Sequence, residues 1–425
     1  MMRKTDRPSP FFPYHRGGMH CEGISLHELA KHSGTPVYVY SQSQLEQQFA
    51  AFDGAFSNKP RLTCFAVKAN SNLAILALFR RMGAGFDVVS GGELQRALRA
   101  GADPRRIVFS GVGKTAEEID LGLEKRILQF NVESEAELHA VEGRARAASR
   151  TAPVGLRVNP DVDPRTHPYI ATGLRQNKFG VPIKSAVALL RRYAGSSHLQ
   201  IQGIGCHIGS QITSLGPFVE AARKLRETAL ALRSIGIDIR YLDLGGGLGI
   251  RYRDETPPSA SAYAAAISRE LGDLDCDLIL EPGRAIVGDA GVLLTRVILN
   301  KRAGGRSFVI VDAAMNDLLR PTLYGAYHRV LPVRAAGRPL RRADIVGPVC
   351  ESSDFLARGR QLPQVKPGEL LAVMSSGAYG FVFSSNYNSR PRAAEVLIKS
   401  NRFRVIRKRE IFADLVRGEI ARPFR

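Results

Sequence analysis

The chain has 425 residues, 44% hydrophobic and 24% charged, a globular composition that excludes a disordered or fibrous polymer and leaves room for two sizeable domains. No run of about 18 uncharged apolar residues occurs, so no transmembrane helix is expected, and the basic start MMRKTDRPSPFFPYHRGG lacks the apolar core of a secretory signal. The net charge is +20, but basic pairs such as Arg80-Arg81, Arg191-Arg192 and Arg341-Arg342 are scattered and no nucleic-acid motif accompanies them, so neither a nucleic-acid nor a membrane partner is expected.

Residues 1–40 read as a lead-in, and the stretch VYVYS near its end has the β-branched and aromatic texture of a strand that partly joins a β domain. From residue 62 one pattern repeats. Short apolar runs at 62–67, 86–89, 107–110, 127–130, 154–158, 201–206, 239–244 and 278–281 alternate with amphipathic stretches such as 73–82, 92–101 and 217–236. Eight βα units in this length predict a (β/α)8 barrel over residues 41–290. A doubly wound sheet would carry its glycine motif after the first strand, and here CFAVKAN stands there. After residue 290 helical spacing fades, and runs such as VLLTRVIL, SFVIVD, ELLAVM and FRVIRK alternate with Gly, Pro and Ser. Residues 291–425 are therefore expected to form an all-β domain, and the fold class is α/β with a second, C-terminal β domain.

The five cysteines are widely spaced and form no CxxC pair, which speaks against a disulfide framework or a structural zinc site and fits a reducing cytoplasm. No second histidine stands at ligand spacing from His207, so no metal is expected. GVGKT (111–115) resembles a phosphate loop, but Val108 occupies the place of its first glycine and the segment follows the third strand of a barrel, so it is set aside.

In such a barrel the chemistry gathers at the C-terminal ends of the strands. Lys68 ends the first strand, Asp87 lies in the second, and Cys206-His207 follow the sixth. Gly245-Gly246-Gly247 follow the seventh and Glu281-Pro282-Gly283-Arg284 the eighth, where barrels often bind phosphate. Alone, Lys68 would be a lysine leaving a core, and the glycines a tight turn. Together, an amine, a phosphate cradle, a flat imidazole and a carboxylate in one mouth fit pyridoxal 5'-phosphate.

At nine places in order the chain resembles the diaminopimelate decarboxylase family, whose barrel is shared with alanine racemase and with ornithine and arginine decarboxylases. The resemblance runs from about residue 20 to 410 and rests on the motifs CFAVKAN, FDVVSGGEL, ATGLRQNKFGV, GIGCHIGSQI, LDLGGGLGI, EPGRAIV, RPTLYGAYH, GPVCESSDFLA and AYGFVFSSNYNSRPRAAEVL. The resemblance implies that Lys68 carries the cofactor as a Schiff base and that His207 stacks on its ring. It implies Asp87, Ser210, Gly246, Gly247, Pro282, Gly283, Arg284 and Tyr379 as further cofactor contacts, with Glu281 facing the ring nitrogen. Cys350 is implied as a proton donor reaching in from the other subunit of a homodimer, and Arg284, Arg320, Tyr324, Glu351 and Tyr379 as substrate contacts. The implied second domain is a β-barrel. The implied reaction is decarboxylation of meso-2,6-diaminopimelate to L-lysine and CO2, the last step of lysine biosynthesis. The alternative is a related basic amino acid such as ornithine, arginine or a D-amino acid; RPTLYGAYH with Glu351-Ser352 favours a substrate with a distal amino-acid centre. A racemase would need an acid–base tyrosine from the second domain, and Cys350 speaks against it. SSGAYG carries serines where the family is alanine-rich, and the basic bias has no family counterpart.

Overall fold

The computed structural model describes residues 10–164, 166–167, 170, 172–173, 176–335 and 337–422. The chain divides into two compact units, Glu46–Ile286 and a second made of Met1–Leu45 with Val287–Arg425.

The first unit is a parallel barrel. Its strands are β1 (Arg61–Ala66), β2 (Gly85–Val88), β3 (Ile107–Phe109), β4 (Gln129–Val132), β5 (Ala152–Asn159), β6 (Leu199–Gly205), β7 (Tyr241–Asp243) and β8 (Asp277–Leu280). Each pairs in parallel with its sequence neighbours, and β8 pairs with β1, which closes the ring. All eight predicted strands form, and the fourth begins two residues later than its predicted start at 127. The reason is local: Arg126 turns into the left-handed region to end the preceding helix, and the Leu128 N–H bonds back to the Pro104 and Ile107 carbonyls.

Three of the helices that follow barrel strands start where side-chain oxygens satisfy their first N–H groups. Ser90 caps α1 (Gly91–Arg99), Thr115 and Glu118 form a reciprocal capping box on α2 (Ala116–Lys125), and Ser134 caps α3 (Glu135–Ala147). GVGKT thus serves as a strand-to-helix turn ending in an N-cap. Phe65 on β1 packs against Phe79 at 4.6 Å between ring centres, both fully buried, each stabilising the wall by about 2–3 kcal/mol.

The second unit is a mixed sheet. Its long strand β9 (Gly291–Ala303) pairs antiparallel with Val37–Ser41, with β10 (Arg306–Val311) and with the strand Leu370–Val373. Val37–Ser41 also pairs in parallel with Ala394–Lys399, so VYVYS sits inside this sheet. Val37, Val39, Val292, Leu294, Ala372 and Val396 alternate inward to form its core with Phe12 and Met19. Three strands here were absent from the sequence reading: Val330–Pro332, Leu340–Val346 and Phe355–Pro363. Gly377 and Gly380 in SSGAYG sit too close to neighbouring carbonyls for any side chain, and Ser375 Oγ donates to Asp289 Oδ1 at 2.6 Å. That bond gives the first serine a partner which alanine could not supply.

Candidate active site

The C-terminal ends of the barrel strands enclose a cavity of about 420 Å³, a volume suited to a small cofactor. Lys68 projects from a single 3₁₀ turn, Val67–Ala69, at the end of β1. Its Nζ lies 2.9 Å from Asp87 Oδ2; the lysine side chain is one-third exposed and the aspartate is fully buried. The buried run CFAV ends on an ammonium because a buried carboxylate on the next strand receives it.

His207, after β6, accepts the Gly246 N–H on Nδ1 at 3.1 Å, so its proton resides on Nε2. Burial, then the charges of Lys68 and Arg157, push its pKa well below the ordinary value, so the imidazole is neutral and flat. Thr172 Oγ1 donates to the His207 carbonyl at 2.6 Å and fixes the backbone.

The glycines after β7 are required by space. A Cβ on Gly246 would lie 2.2 Å from the Glu281 carbonyl oxygen, and Gly247 adopts φ +115°. Beside them Arg284, 6% exposed, donates from Nη2 to Ser210 Oγ at 3.0 Å and from Nη1 to Tyr252 OH at 2.7 Å. This group has the donors and close backbone approach that a phosphate requires.

Glu281 ends β8 and is buried. Burial, then the neighbouring Asp243 and Asp87, push its pKa well above the ordinary carboxylate range. Asp243 is pushed up to about 6, chiefly by burial, while the Gly245 N–H and Asn131 pull the other way. Lys68, Asp87, His207, Ser210, Gly246, Gly247, Glu281, Pro282, Gly283 and Arg284 all belong to the barrel unit, and Lys68, His207 and Glu281 line its cavity. An amine, a neutral ring, a buried carboxyl and a glycine cradle together fit a flat phosphorylated aldehyde such as pyridoxal phosphate.

The remaining expected residues lie in the β unit. Arg320, 5% exposed, meets His328 Nε2 at 2.8 Å, and Tyr324 and Tyr379 flank Phe383 with ring centres 6.5 and 6.2 Å away. Thr322 Oγ1 donates to the Ser353 carbonyl at 2.7 Å, tying this turn to the loop of Cys350 and Glu351. The Cys350 thiol is exposed, whereas Cys21, Cys64, Cys206 and Cys276 are buried. Glu351 accepts from Tyr387 OH at 2.5 Å. In the motif ATGLRQNKFGV, Ala171, Leu174 and Arg175 lie outside the described residues.

Among the pocket residues that escaped the sequence reading are Ser110, Asn131, Arg157 and Asp243. Ser110, Asn131 and Arg157 belong to the third, fourth and fifth strands and their ends. The rule that found Lys68 and Glu281 reaches them when applied to every strand.

Residues 42–288 match the family model described as pyridoxal-dependent decarboxylase, pyridoxal binding domain. The chain is 52% identical to a diaminopimelate decarboxylase of Pseudomonas aeruginosa over 97% of this chain and 99% of that protein. It is 50% identical to one from Vibrio cholerae over 95% of this chain and 97% of that protein. The crystal structure of diaminopimelate decarboxylase from Helicobacter pylori complexed with L-lysine superposes with a TM-score of 0.90 at 44% identity, over 92% of this chain and 98% of that one. The chain therefore belongs to the diaminopimelate decarboxylase family of pyridoxal-dependent decarboxylases.

Proposed function

We propose that this enzyme removes CO2 from meso-2,6-diaminopimelate to give L-lysine, in the cytoplasm, as a homodimer with shared active sites. The observation that carries the reading is the Lys68–Asp87 pair at 2.9 Å, in a cavity that also holds neutral His207 and buried Glu281. When bound, pyridoxal phosphate supplies an electron sink for the bonding pair left as CO2 departs.

The protein's residues divide the work. Lys68 holds the cofactor covalently, and Asp87 fixes the direction of its amine. Neutral His207 offers a face to the ring without adding positive charge. Ser210, Gly246, Gly247, Gly283 and Arg284 bind the phosphate, with Pro282 and Tyr379 beside the cofactor. Glu281 holds a proton at the ring nitrogen. Cys350 of the second subunit delivers a proton to the carbon that has lost CO2; its exposed thiol in the single chain supports that role. Arg284, Arg320, Tyr324, Tyr379 and Glu351 contact the substrate, Arg320 by a two-pronged fork onto the distal carboxylate.

The test is to load the purified protein with pyridoxal phosphate and compare kcat/KM for meso-diaminopimelate, lysine and ornithine. A substrate without the distal carboxylate forfeits that fork, a penalty of up to about 10⁴-fold. Equal kcat/KM for ornithine would transfer the reading to a related basic amino acid. The shared site is tested by mixing inactive Lys68→Ala with inactive Cys350→Ala chains. Heterodimers make up about half of a statistical mixture and hold one intact site of two, so about a quarter of the activity should return. No recovery after verified subunit exchange would overturn the shared site.

A further inference from the structure

Beneath the cavity the barrel is filled in an unusual way. Barrel interiors are ordinarily packed with branched apolar side chains. Here Gln129 and Asn131 on β4 and Asp243 on β7 form a buried polar layer, each no more than 5% exposed. Glycines on the adjoining strands make the room. A Cβ on Gly155 would come within 2.6 Å of Gln129 Nε2, on Gly203 within 2.9 Å of Gln129 Oε1, and on Gly205 within 2.5 Å of Asp243 Cβ. Gln129 Nε2 donates to Asn131 Oδ1 at 2.7 Å, which fixes the amide so that its Nδ2 faces the carboxyls. From there Nδ2 reaches Asp243 Oδ2 at 2.9 Å, Ser110 Oγ at 3.1 Å and Glu281 Oε1 at 3.4 Å. Ser110 Oγ lies 3.4 Å from the same Glu281 oxygen, and the Gly245 N–H holds the other oxygen of Asp243 at 2.9 Å.

Two buried carboxyls straddled by one amide cannot both be ionised cheaply. We propose that Asp243 is a positioning residue: through Asn131 it fixes the Glu281 carboxyl, and in the cofactor-free protein the two hold one proton between them. This rests on the reading of Glu281 as the partner of the ring nitrogen. When pyridoxal phosphate with an unprotonated ring nitrogen enters, the carboxyl O–H bond breaks and a ring N–H bond forms, so the pair supplies the proton and solvent does not. Burial and like charge raise both carboxyls, in keeping with a retained proton.

The charged and titratable groups around the pair are Asp87 on β2, Lys68 and Cys64 at β1, Arg157 on β5, His207 and Cys206 after β6, and Tyr263 on the helix Ala260–Leu271. Because the native pair keeps a proton that the unfolded chain has lost, folding stability falls as pH rises through this range. His207 acts in the opposite sense below its ordinary value of 6.5, so the useful window lies above that. Glu93 and Asp317, each pushed up to about 7, add a background common to every variant.

The experiment uses the full chain stripped of cofactor. Wild-type stability is compared with Glu281→Gln, Asp243→Asn and the double variant between pH 6.5 and 8. Glu281→Gln should remove a pH dependence approaching tenfold in the unfolding constant per pH unit, Asp243→Asn should reduce it, and the double variant should remove no more than Glu281→Gln alone. Additive effects, or slopes that do not change, overturn the shared proton. Infrared spectra provide a measurement that survives if Asp243→Asn does not fold. At pH 8 the cofactor-free wild type should show the carbonyl band of a protonated carboxyl; the band should be missing in Glu281→Gln and should vanish when pyridoxal phosphate is added. A band unchanged in Glu281→Gln overturns the proposal. Normal turnover of loaded Glu281→Gln would instead overturn the ring-nitrogen reading beneath it.

Discussion

Two groups of buried carboxylates lie in the same barrel, and they are built in opposite ways. Glu133 and Glu137 are saturated. Glu133 receives Arg157 Nη1 at 2.8 Å and the N–H groups of Gly111 and Gly180 at 3.0 and 3.1 Å. Glu137 receives Lys114 Nζ and the Glu133 N–H, both at 2.7 Å. Lys114, with a side chain 1% exposed, spends its other donors on the Gly111 and Asn131 carbonyls. Asp87, Asp243 and Glu281, by contrast, crowd together, and Lys68 is the ammonium bonded to the group, through Asp87. Burial is similar in both groups, so burial does not mark the site. The imbalance of charge does: a balanced cluster holds structure together, while an unbalanced one keeps a proton or awaits a charged ligand.

The contrast is sharpest between the two lysines. Lys68→Ala should lose roughly 10⁴-fold or more in turnover, as when a group that acts covalently is removed, a loss far beyond any stability cost of leaving buried Asp87 without its ammonium. Borohydride reduction of the loaded wild type followed by peptide mapping should place the cofactor on Lys68. Label on Lys114 or Lys178 would reverse the assignment.

Lys114→Met should do the reverse. Removing one partner of a buried pair leaves Glu137 uncompensated, at a cost of about 3–5 kcal/mol. Denaturant melts should show that loss, and the folded fraction should still label at Lys68. A stability change below about 1 kcal/mol would mean that Lys114 does not balance this cluster.

The barrel was legible because βα alternation has a period that survives local noise, and Lys68, Asp87, His207, the glycines and Glu281 were legible because strand ends locate the mouth. Asn131 directly follows the predicted run 127–130, as Lys68 follows 62–67, but an amide after an apolar run carries no charge to mark it, so its place alone did not single it out. The polar layer was hidden for a related reason: its glycines in VGLRV and IQGIG read as weak strand positions, and the room they make exists only across strands. In the β unit, Leu340–Val346 opens on exposed Arg341 and Arg342, and Phe355–Pro363 is interrupted by Arg358 and Arg360. These exposed arginines thus erased the alternation that marks a half-buried strand.

The smallest effect separates the two regions by pH alone. His207 is held neutral by burial, with Lys68 and Arg157 adding to the effect, so its folded pKa lies below the 6.5 of the unfolded chain. Below that pH the unfolded chain takes up a proton that the folded one refuses, and the contribution of His207 to stability falls as pH falls, by at most about 1.4 kcal/mol per pH unit. His207→Asn keeps an acceptor for the Gly246 N–H but does not titrate, so its stability should rise relative to the wild type as pH falls, on top of the rise that the retained carboxyl protons give to both. Lys114→Met changes the saturated cluster and leaves His207 untouched, so its melts should be lower throughout yet keep the wild-type acid slope. Thermal melts of the cofactor-free proteins from pH 6.5 down to 5 decide the matter. If His207→Asn keeps the wild-type slope, His207 is not the neutral ring inferred from its bond to Gly246.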